Sequence, residues 1–326
     1  MTSPGRTTAQ RLLAVVAAGV LTGCAGVAAP VGAPLEPTPA IAPAPAPSTP
    51  SVVASATSAP APTASPSATA AAQSVRAPRI KGVLNFRDAA GWKTSLKLSG
   101  GATMARGVVY RSGRLKDLTK ADRKELVRTG ITDIVDLRTT QVKRRSPDPS
   151  ITGAKYRHIN IFGVYSTGSP RYSSEAKAIA ARKKMYRQFV TDSGQRKRTA
   201  SVLKVIAKAK GPVIIHCSEG KDRTGWIAAV LQLTAGASRS DVMREYLLSN
   251  QLREDAIKAR YNKVRKASGT KAAKIDRRLY IVDDAYLNAS LKELDRRYGD
   301  LDTFLTKGLG LSKSTVASLR DKLRDD

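Results

Sequence analysis

The stretch of residues 213–225 constrains this chain more than any other. Residues 213–215 form a short β-branched run after a Gly-Pro pair, which is typical of a buried strand. Residues 226–233 are apolar and continue as a predicted helix. The loop between them, from Cys217 to Arg223, closes on itself and aims backbone N–H groups at one point, where the positive end of the helix dipole adds to them. The stretch therefore predicts an oxyanion site of phosphate size with a sulfur nucleophile at its floor.

Three residues of this stretch are candidates for catalysis on chemical grounds. The helix dipole, the loop amides and nearby cations favour the thiolate of Cys217, so we expect the pKa of its thiol to be depressed. Arg223 offers a planar fork that can hold two phosphate oxygens into the transition state. Thr224 can donate its hydroxyl to the sulfur and help it leave, or it can cap the helix.

Three aspartates are candidates for the acid that protonates the leaving oxygen. Asp222 lies inside the loop, where a salt bridge is its alternative role. Asp136 lies near the end of the predicted strand 131–137, and a strand end beside a phosphate loop is where α/β sites form. Asp192 is the weakest of the three, because its Thr-Asp-Ser-Gly setting also suits an ordinary turn.

The remaining residues of the loop are candidates for binding the substrate. Gly220 permits a backbone geometry that a side chain would block, and Lys221 adds a second cation at the mouth. His216 is expected to orient the loop through hydrogen bonds rather than to act as a base. Ser218 and Glu219 complete this set.

The chain around the loop alternates predicted strands and helices. Strands are predicted at residues 80–86, 108–110, 131–137, 156–162 and 213–215. Helices are predicted at residues 119–128, 174–190, 199–210, 226–233, 284–297 and 312–323, with a further helix that Ser240 caps. The alternation argues for an α/β layered fold. Residues 251–278 are basic and weakly periodic, and we predict a surface helix there in preference to a mobile lid.

The first 75 residues differ in composition from the rest. Of the 17 prolines, 11 lie between residues 30 and 66, among Ala, Ser and Thr, so residues 24–75 are predicted to be a disordered linker. Two arginines precede a short apolar run and then small residues, as in an export signal over residues 1–23. Residues 76–326 then form one large folded domain.

The end of the predicted export signal carries a cysteine. Residues 21–24, Leu-Thr-Gly-Cys, resemble the lipobox of bacterial lipoproteins. The resemblance implies that Cys24 receives a diacylglyceryl group, becomes the mature N-terminus and anchors the protein on the outer face of a bacterial cell membrane. An ordinary cleaved signal peptide and an uncleaved span are the alternatives.

The charge of the chain bears on its partners. The formal net charge is +30, nearly all of it on the folded part. Such an excess of positive charge suggests polyanionic partners, namely nucleic acid, an anionic membrane or phosphorylated substrates. The alternative is that the charge only keeps the protein soluble. No nucleic-acid motif is present and aromatic residues make up 5%, so no nucleic-acid partner is expected. The two cysteines, Cys24 and Cys217, have separate predicted roles, which leaves no disulfide.

Residues 216–225, His-Cys-Ser-Glu-Gly-Lys-Asp-Arg-Thr-Gly, resemble the signature of the protein tyrosine phosphatase superfamily, His-Cys, five residues, then Arg-Ser/Thr. The Gly-Lys-Asp-Arg-Thr-Gly form is similar to a bacterial subgroup with dual protein and phosphoinositide phosphatase activity. Residues 85–88, 110–114 and 136–138 also resemble that subgroup, and the resemblance spans most of residues 80–325. It implies a central, mostly parallel sheet flanked by helices.

The resemblance also implies a mechanism without metal or cofactor. In that family a cysteine attacks phosphorus and forms a phosphocysteine, an arginine binds the phosphate, and an aspartate is the proposed general acid. The resemblance maps these roles onto Cys217, Arg223 and Asp222, in that order. It also maps the lysine associated with inositol phosphate recognition onto Lys221. Glu219 departs from the pattern, because its negative charge should weaken the binding of multiply phosphorylated lipids. No Trp-Pro-Asp acid loop is visible upstream, which leaves the identity of the general acid open.

The sequence hypothesis is therefore a phosphatase of phosphotyrosine, with phosphoserine, phosphothreonine and phosphoinositides as further substrates. The alternatives are a non-catalytic cell-surface binder of phosphorylated or polyanionic ligands, and sulfur transfer as in rhodaneses.

Overall fold

A five-stranded sheet carries the predicted loop at the end of its central strand. The computed structural model describes residue 78, residues 80–168 and residues 170–325. The strands of the sheet are β1 (Arg87–Asp88), β3 (Val109–Ser112), β4 (Asp133–Asp136), β5 (Lys155–His158) and β6 (Val213–His216). Their order is β1-β3-β6-β4-β5; β1 is antiparallel to β3 and the other pairs are parallel. Two further short strands, β2 (Thr103–Met104) and β7 (Arg324–Asp325), pair antiparallel.

The helices flank this sheet, which confirms the predicted α/β fold with a mostly parallel sheet. They are α1 (Lys120–Arg128), α2 (Thr140–Arg145), α3 (Glu175–Thr191), α4 (Ser193–Lys208), α5 (Arg223–Ala235), α6 (Arg239–Gln251), α7 (Glu254–Tyr280), α8 (Asp284–Tyr298), α9 (Leu301–Thr303) and α10 (Lys313–Leu323). A 3₁₀ turn (Ser99–Gly101) precedes β2, and a π-helical segment (Phe304–Gly308) follows α9. Within the described part of the chain, no helix combines the length and apolar character needed to cross a membrane.

Helix α5 is the most deeply buried element around the site. All of its 13 residues except Arg223 and Leu233 are buried, because it packs between the sheet and the surrounding helices. Trp226 stacks on Phe189 of α3, with ring centroids 5.7 Å apart. Helix α5 is therefore apolar on every face, and its N-terminus is fixed where β6 ends.

The local sequence signals predicted α1 well. Thr119 caps the helix and Asp122 bonds back to it, as a capping box requires. The serine that caps α6 is Ser238, not Ser240, because the Ser238 hydroxyl accepts the N–H of Asp241. Helix α4 begins at Ser193, six residues before its predicted start, because Asp192 caps it.

The first predicted strand is wrong. Residues 80–86 form turns, and only Arg87–Asp88 pair with β3. Asn85 has a φ of 62°, which is incompatible with a strand and turns its side chain toward the loop after β6. The other strands exist as predicted, with ends that shift by up to four residues.

Residues 251–278 lie mostly within α7, which confirms the predicted surface helix. Gly269 has a φ of 80° and divides α7 into a first arm, residues 254–268, and a second arm, residues 270–280. An ion pair between Arg260 and Asp276, at 2.8 Å, joins the two arms. Ala273 is the only buried residue of α7.

Candidate active site

The loop of residues 217–222 joins the end of β6 to the first turn of α5. Helix α5 has no acidic residue in its first turn and no side-chain cap at its N-terminus. Its first amides and the positive end of its dipole are therefore available to an anion. The loop thus has the backbone arrangement that an anion site needs, and the anion site itself stays a prediction.

Cys217 lies at the floor of this loop, with 2% of its surface exposed. Burial alone would raise the pKa of its thiol. The Arg223 guanidinium and the side chain and backbone N–H of Thr224 outweigh burial, so the pKa is lowered from its ordinary value. The arrangement therefore favours a buried thiolate, the nucleophilic form of cysteine.

Arg223 is the cation that remains open to a ligand. Its guanidinium donates to the carbonyl of Leu137 at 3.2 Å and to the hydroxyl of Ser218 at 3.4 Å, and it lies 4.9 Å from the centre of the Phe162 ring. No carboxylate within the described ranges forms an ion pair with it. Arg223 thus has spare charge and donors for two phosphate oxygens.

Gly220 lets the loop pass directly over the end of β3. Its φ is +66°, and a Cβ there would lie 2.4 Å from the carbonyl carbon of Ser112 and 2.6 Å from the nitrogen of Gly113. The amide of Asn85 donates to the Gly220 carbonyl at 2.9 Å, and Arg111 donates to the same oxygen at 3.0 Å. Both the turn and the approach therefore require glycine.

Glu245 on α6 supports these donors from below. One of its oxygens pairs with Arg87, and the other accepts from Arg111 at 2.7 Å. Arg87 also donates to the side-chain oxygen of Asn85 and to the hydroxyl of Ser249. This cluster, which we call the Glu245 clamp (Asn85, Arg87, Arg111, Glu245 and Ser249), holds the loop carbonyls in place.

Sequence reasoning missed the Glu245 clamp as a unit, although it singled out Asn85, Arg87 and Arg111. A signal was present, because Glu245 lies on the same face of α6 as Val242 and Tyr246, both buried. A carboxylate on an apolar helix face indicates a buried cationic partner.

Asp222 and Lys221 are paired with each other. The Lys221 amine lies 2.9 and 2.8 Å from the two oxygens of Asp222, and it also donates to the carbonyls of Leu279 and Ile281. Burial favours the neutral forms of both groups: it lowers the pKa of Lys221 to about 8. For Asp222, Lys221, Arg182 and the Tyr186 hydroxyl outweigh burial and bring the pKa to about 2.

A pocket of about 580 Å³ opens above the loop. Glu219, Lys221, Asp222 and Arg223 line it from the loop, and Asp192 from the start of α4. Its other walls are largely apolar or aromatic, formed by Phe162, Val164, Pro170, Tyr172, Met185, Leu279 and Tyr280. A planar aromatic group carrying a phosphate suits such walls.

Comparison with known proteins decides the family. The family model described as the tyrosine phosphatase family matches residues 78–325. The chain belongs to the tyrosine phosphatase family. It is a protein-tyrosine phosphatase, which is an enzyme. The comparisons give no support to the two alternatives, a non-catalytic binder and a sulfur transferase.

Three bacterial relatives support this. The chain is 31% identical over 280 residues to a triple specificity protein phosphatase, PtpB, of Mycobacterium tuberculosis, with 75% of this chain and 98% of the relative covered. It is 28% identical over 248 residues to a putative tyrosine-protein phosphatase of Cupriavidus necator, covering 73% and 85%. A tyrosine-protein phosphatase of Nostoc commune is 28% identical over 226 residues, covering 65% and 73%.

In this phosphatase Asp136 lies outside the pocket, unlike Asp222. It is wholly buried and bonded to Arg138 at 2.8 Å and to the Tyr156 hydroxyl at 2.5 Å. Burial would raise its pKa, but Arg138 and His216 hold it well below its usual range. A buried carboxylate of lowered pKa away from the pocket is a weaker candidate for the acid than Asp222, and the expectation of an acid at Asp136 stays a prediction.

His216 also lies outside the pocket, beneath the loop. It is fully buried, its Nδ1 lies 3.4 Å from the Cys217 carbonyl, and its Nε2 lies 3.4 Å from an oxygen of Asp148. The ligand atoms of Asp136, Asp148 and His216 lie within 4.8 Å of one another. Arg138 pairs with both of these aspartates, so a protein cation already serves them. His216 is not among the residues that line the pocket, and its role in orienting the loop stays a prediction.

Glu219 has a partner that the sequence did not reveal. Arg253, whose side chain is 0% exposed, donates to the Glu219 carboxylate at 2.7 Å and lies 4.7 Å from the centre of the Tyr280 ring. The negative charge of Glu219 is therefore balanced within the pocket wall. Asp192 caps α4 through the N–H of Gln195 at 2.8 Å, which gives it a structural role at the pocket edge.

Proposed function

We propose that this phosphatase hydrolyses phosphomonoesters through a phosphocysteine intermediate. The observation that carries the proposal is the buried Cys217 at the start of the loop, whose thiol has its pKa lowered by an Arg223 guanidinium that no carboxylate of the described residues pairs with. The thiolate attacks phosphorus, the S–P bond forms and the P–O bond to the leaving group breaks. Water then attacks phosphorus, the S–P bond breaks, and inorganic phosphate leaves. Thr224 stabilises the departing thiolate.

Asp222 is the proposed acid and base of the two steps. In the free site its pKa is about 2, so it is ionised. An incoming phosphate places negative charge beside it, and one unit charge at about 4 Å is worth about 4 kcal/mol at an effective dielectric constant of about 20. That energy equals a change of nearly a thousandfold in proton affinity. Substrate binding thereby raises the pKa of Asp222 and increases the fraction of it that carries the proton needed by the leaving oxygen.

A comparison of leaving groups tests the assignment of Asp222. Asp222→Asn should lose activity mainly on an alkyl phosphate, whose leaving oxygen needs a proton, and little on a nitrophenyl ester. Asp136→Asn is the reference, because that carboxylate is buried outside the pocket. Equal losses of Asp222→Asn on both esters would remove its role as acid.

Phosphotyrosine is the proposed main substrate, because more than half of the pocket-wall residues outside the loop are apolar or aromatic, with Arg182, Gln188 and Gln195 among the polar ones. Phosphoinositides and phosphoserine or phosphothreonine are secondary candidates. Lys221, which the subgroup resemblance associates with inositol phosphates, already pairs with Asp222 and two backbone carbonyls. A second phosphate would have to displace those bonds, which argues for a preference for single phosphomonoesters.

The chemical proposal is tested with the full chain and p-nitrophenyl phosphate in the presence of EDTA. We expect release of phosphate by the wild-type protein and none by Cys217→Ser, with unchanged circular dichroism. Activity retained by Cys217→Ser would exclude the phosphocysteine route, and thiosulfate turnover above ester turnover would favour sulfur transfer instead. A panel of phosphopeptides and phosphoinositides then ranks the substrates.

We further propose that the enzyme is an exported lipoprotein, anchored through Cys24 with residues 24–75 as a linker and residues 76–326 as the catalytic domain. The lipobox-like Leu-Thr-Gly-Cys at residues 21–24 supports this, and these residues lie outside the described part of the chain. Cys24→Ala should release the enzyme from bacterial membranes and stop incorporation of a labelled fatty acid. Membrane retention without change would exclude the acyl anchor.

A further inference from the structure

The second arm of α7 carries a row of basic side chains that leads to the catalytic pocket. Lys271, Lys274 and Arg277 recur at every third residue and are exposed. Residues three apart on a helix lie on one face. No ion pair joins any of these three to a carboxylate of the described ranges. Their charge is therefore free to meet an external anion.

Lys274 and Arg277 face a groove between the two arms of α7 and the start of α3. The groove has a volume of about 890 Å³, and Ile257 and Tyr261 line it from the first arm. A second cavity, of about 480 Å³, adjoins this groove. Glu175 and Lys274 line both, and Lys271 lines the second cavity.

Two carboxylates in the groove are already neutralised. Glu175 pairs with Arg278 at 2.7 Å, and Glu254 pairs with Lys258 at 2.7 Å. All four of these side chains line the groove, so the surplus of positive charge there comes from the other basic residues, Lys274 and Arg277.

The groove and the catalytic pocket share a wall. Arg278 and Ile281 line the groove, whereas Leu279 and Tyr280, between them in the chain, line the pocket above Cys217. A bond from Lys221 to the Leu279 carbonyl at 3.1 Å ties this segment to the phosphate loop. A substrate peptide that extends from the pocket across this wall would therefore lie in the groove.

We propose that the groove binds acidic residues that flank the phosphorylated residue of a protein substrate. The inference deepens the proposed function and rests on it, because it assumes that the pocket receives a phosphorylated side chain. A concave groove with apolar side chains and two unpaired cations suits an extended acidic peptide. A flat lipid surface would reach the rim of such a groove but not its floor.

The helix geometry gives the spacing of the acidic residues. Arg277 and Lys274 precede Tyr280 by three and six residues, which at a rise of about 1.5 Å per residue corresponds to roughly 4.5 and 9 Å. An extended peptide advances about 3.3 Å per residue. The preferred acidic positions are therefore about one and three residues from the phosphorylated one.

Binding of labelled peptides tests the proposal independently of turnover. Full-length Cys217→Ser protein is titrated with phosphotyrosine peptides that carry Glu or Ala at one and three residues on either side, and fluorescence anisotropy gives Kd. We expect the Glu peptide to bind about three- to tenfold more tightly on one side, since two exposed ion pairs form. Added salt should reduce the preference.

The double variant Lys274→Ala/Arg277→Ala should lose this preference. Its matched control is Lys204→Ala/Lys208→Ala, whose exposed lysines on α4 lie beside Asp133 at the opposite end of the sheet. The control should keep the preference, and neither pair should change turnover of p-nitrophenyl phosphate by the otherwise wild-type enzyme.

A preference that survives in the Lys274/Arg277 variant, or equal Kd values for both peptides in the parent, overturns the proposal. Loss of binding to phosphatidylglycerol vesicles with an intact peptide preference would assign the face to membranes instead and also overturn it. Absence of ester hydrolysis by wild type would refute the proposed function alone, because the peptide preference is measured by binding.

Discussion

Replacing Glu245 with glutamine tests whether the Glu245 clamp holds the phosphate loop. Glu245 joins Arg87 and Arg111, and the side chains of all three are at most 2% exposed. The substitution keeps the shape but removes the carboxylate that both guanidinium groups share. Two cations are then left in the interior with no charge to balance them.

The size of the effect follows from burial. Breaking a buried ion pair costs about 3–5 kcal/mol, because an uncompensated charge stays in the interior. For a domain of this size about 1 kcal/mol lowers Tm by about 2–4 °C, so Glu245→Gln should lower Tm by roughly 6–20 °C. The Arg111 bond to the Gly220 carbonyl should also weaken, and turnover of p-nitrophenyl phosphate below the new Tm should fall about tenfold or more.

Glu293→Gln is the matched control. Glu293 on α8 also pairs with two arginines, but Arg296 and Arg297 are 65% and 42% exposed. Solvent-exposed pairs contribute about 0–1 kcal/mol, so this variant should melt within a few degrees of wild type. Addition of Arg87→Met to Glu245→Gln should recover part of the lost stability, since one unpaired cation is removed.

Thermal melts followed by circular dichroism, with activity measured at 25 °C, decide the matter. If Glu245→Gln and Glu293→Gln melt at the same temperature and keep wild-type turnover, the clamp does not support the loop. A loss of turnover with no loss of stability would also contradict the stated cause.

Three further predictions concern the loop itself. Gly220→Ala should lower kcat/KM at least 100-fold because its Cβ meets backbone at 2.4 Å, whereas Gly310→Ala, with nearly the same φ of +67° and open space around it, should leave activity unchanged; steady-state assays of both variants separate the clash from the backbone strain. Glu219→Gln should lower KM for a bisphosphorylated substrate severalfold and lower Tm, because Arg253 loses its partner in the pocket wall; unchanged KM and Tm would contradict that balance of charge. Asp222→Asn should remove the basic limb of the kcat–pH profile on an alkyl phosphate, since only protonated Asp222 donates and its proton is lost as pH rises; a limb that persists in the variant belongs to another group.

The sequence predicted much of the loop because its chemistry is local. The spacing of Cys217 and Arg223, the glycine between them and the apolar strand and helix on either side are properties of consecutive residues. The same holds for the capping box of α1 and the pattern of α/β alternation, which depend on periodicity and short-range hydrogen bonds.

Other parts of the site depend on residues far apart in the chain. Arg253 lies 34 residues after Glu219, and Glu245 lies 134 residues after Arg111. The only sequence signal for either pairing is the charge of Glu245 on a buried helix face, since Arg253 lies in the turn before α7. The first predicted strand failed for the same reason, because the positive φ of Asn85 is maintained by contacts with the loop at Gly220.

The sequence by itself predicted the nucleophile and the anion cradle and contained the family pattern, because one continuous segment carries all three. Only the tertiary structure decided which charges remain free. It pairs Lys221 with Asp222, Glu219 with Arg253, and Asp136 with Arg138, and leaves Arg223 as the loop cation without a carboxylate among the described residues. The physical reason is that burial compels each charge to find a partner, and the partner is set by packing and not by distance along the chain.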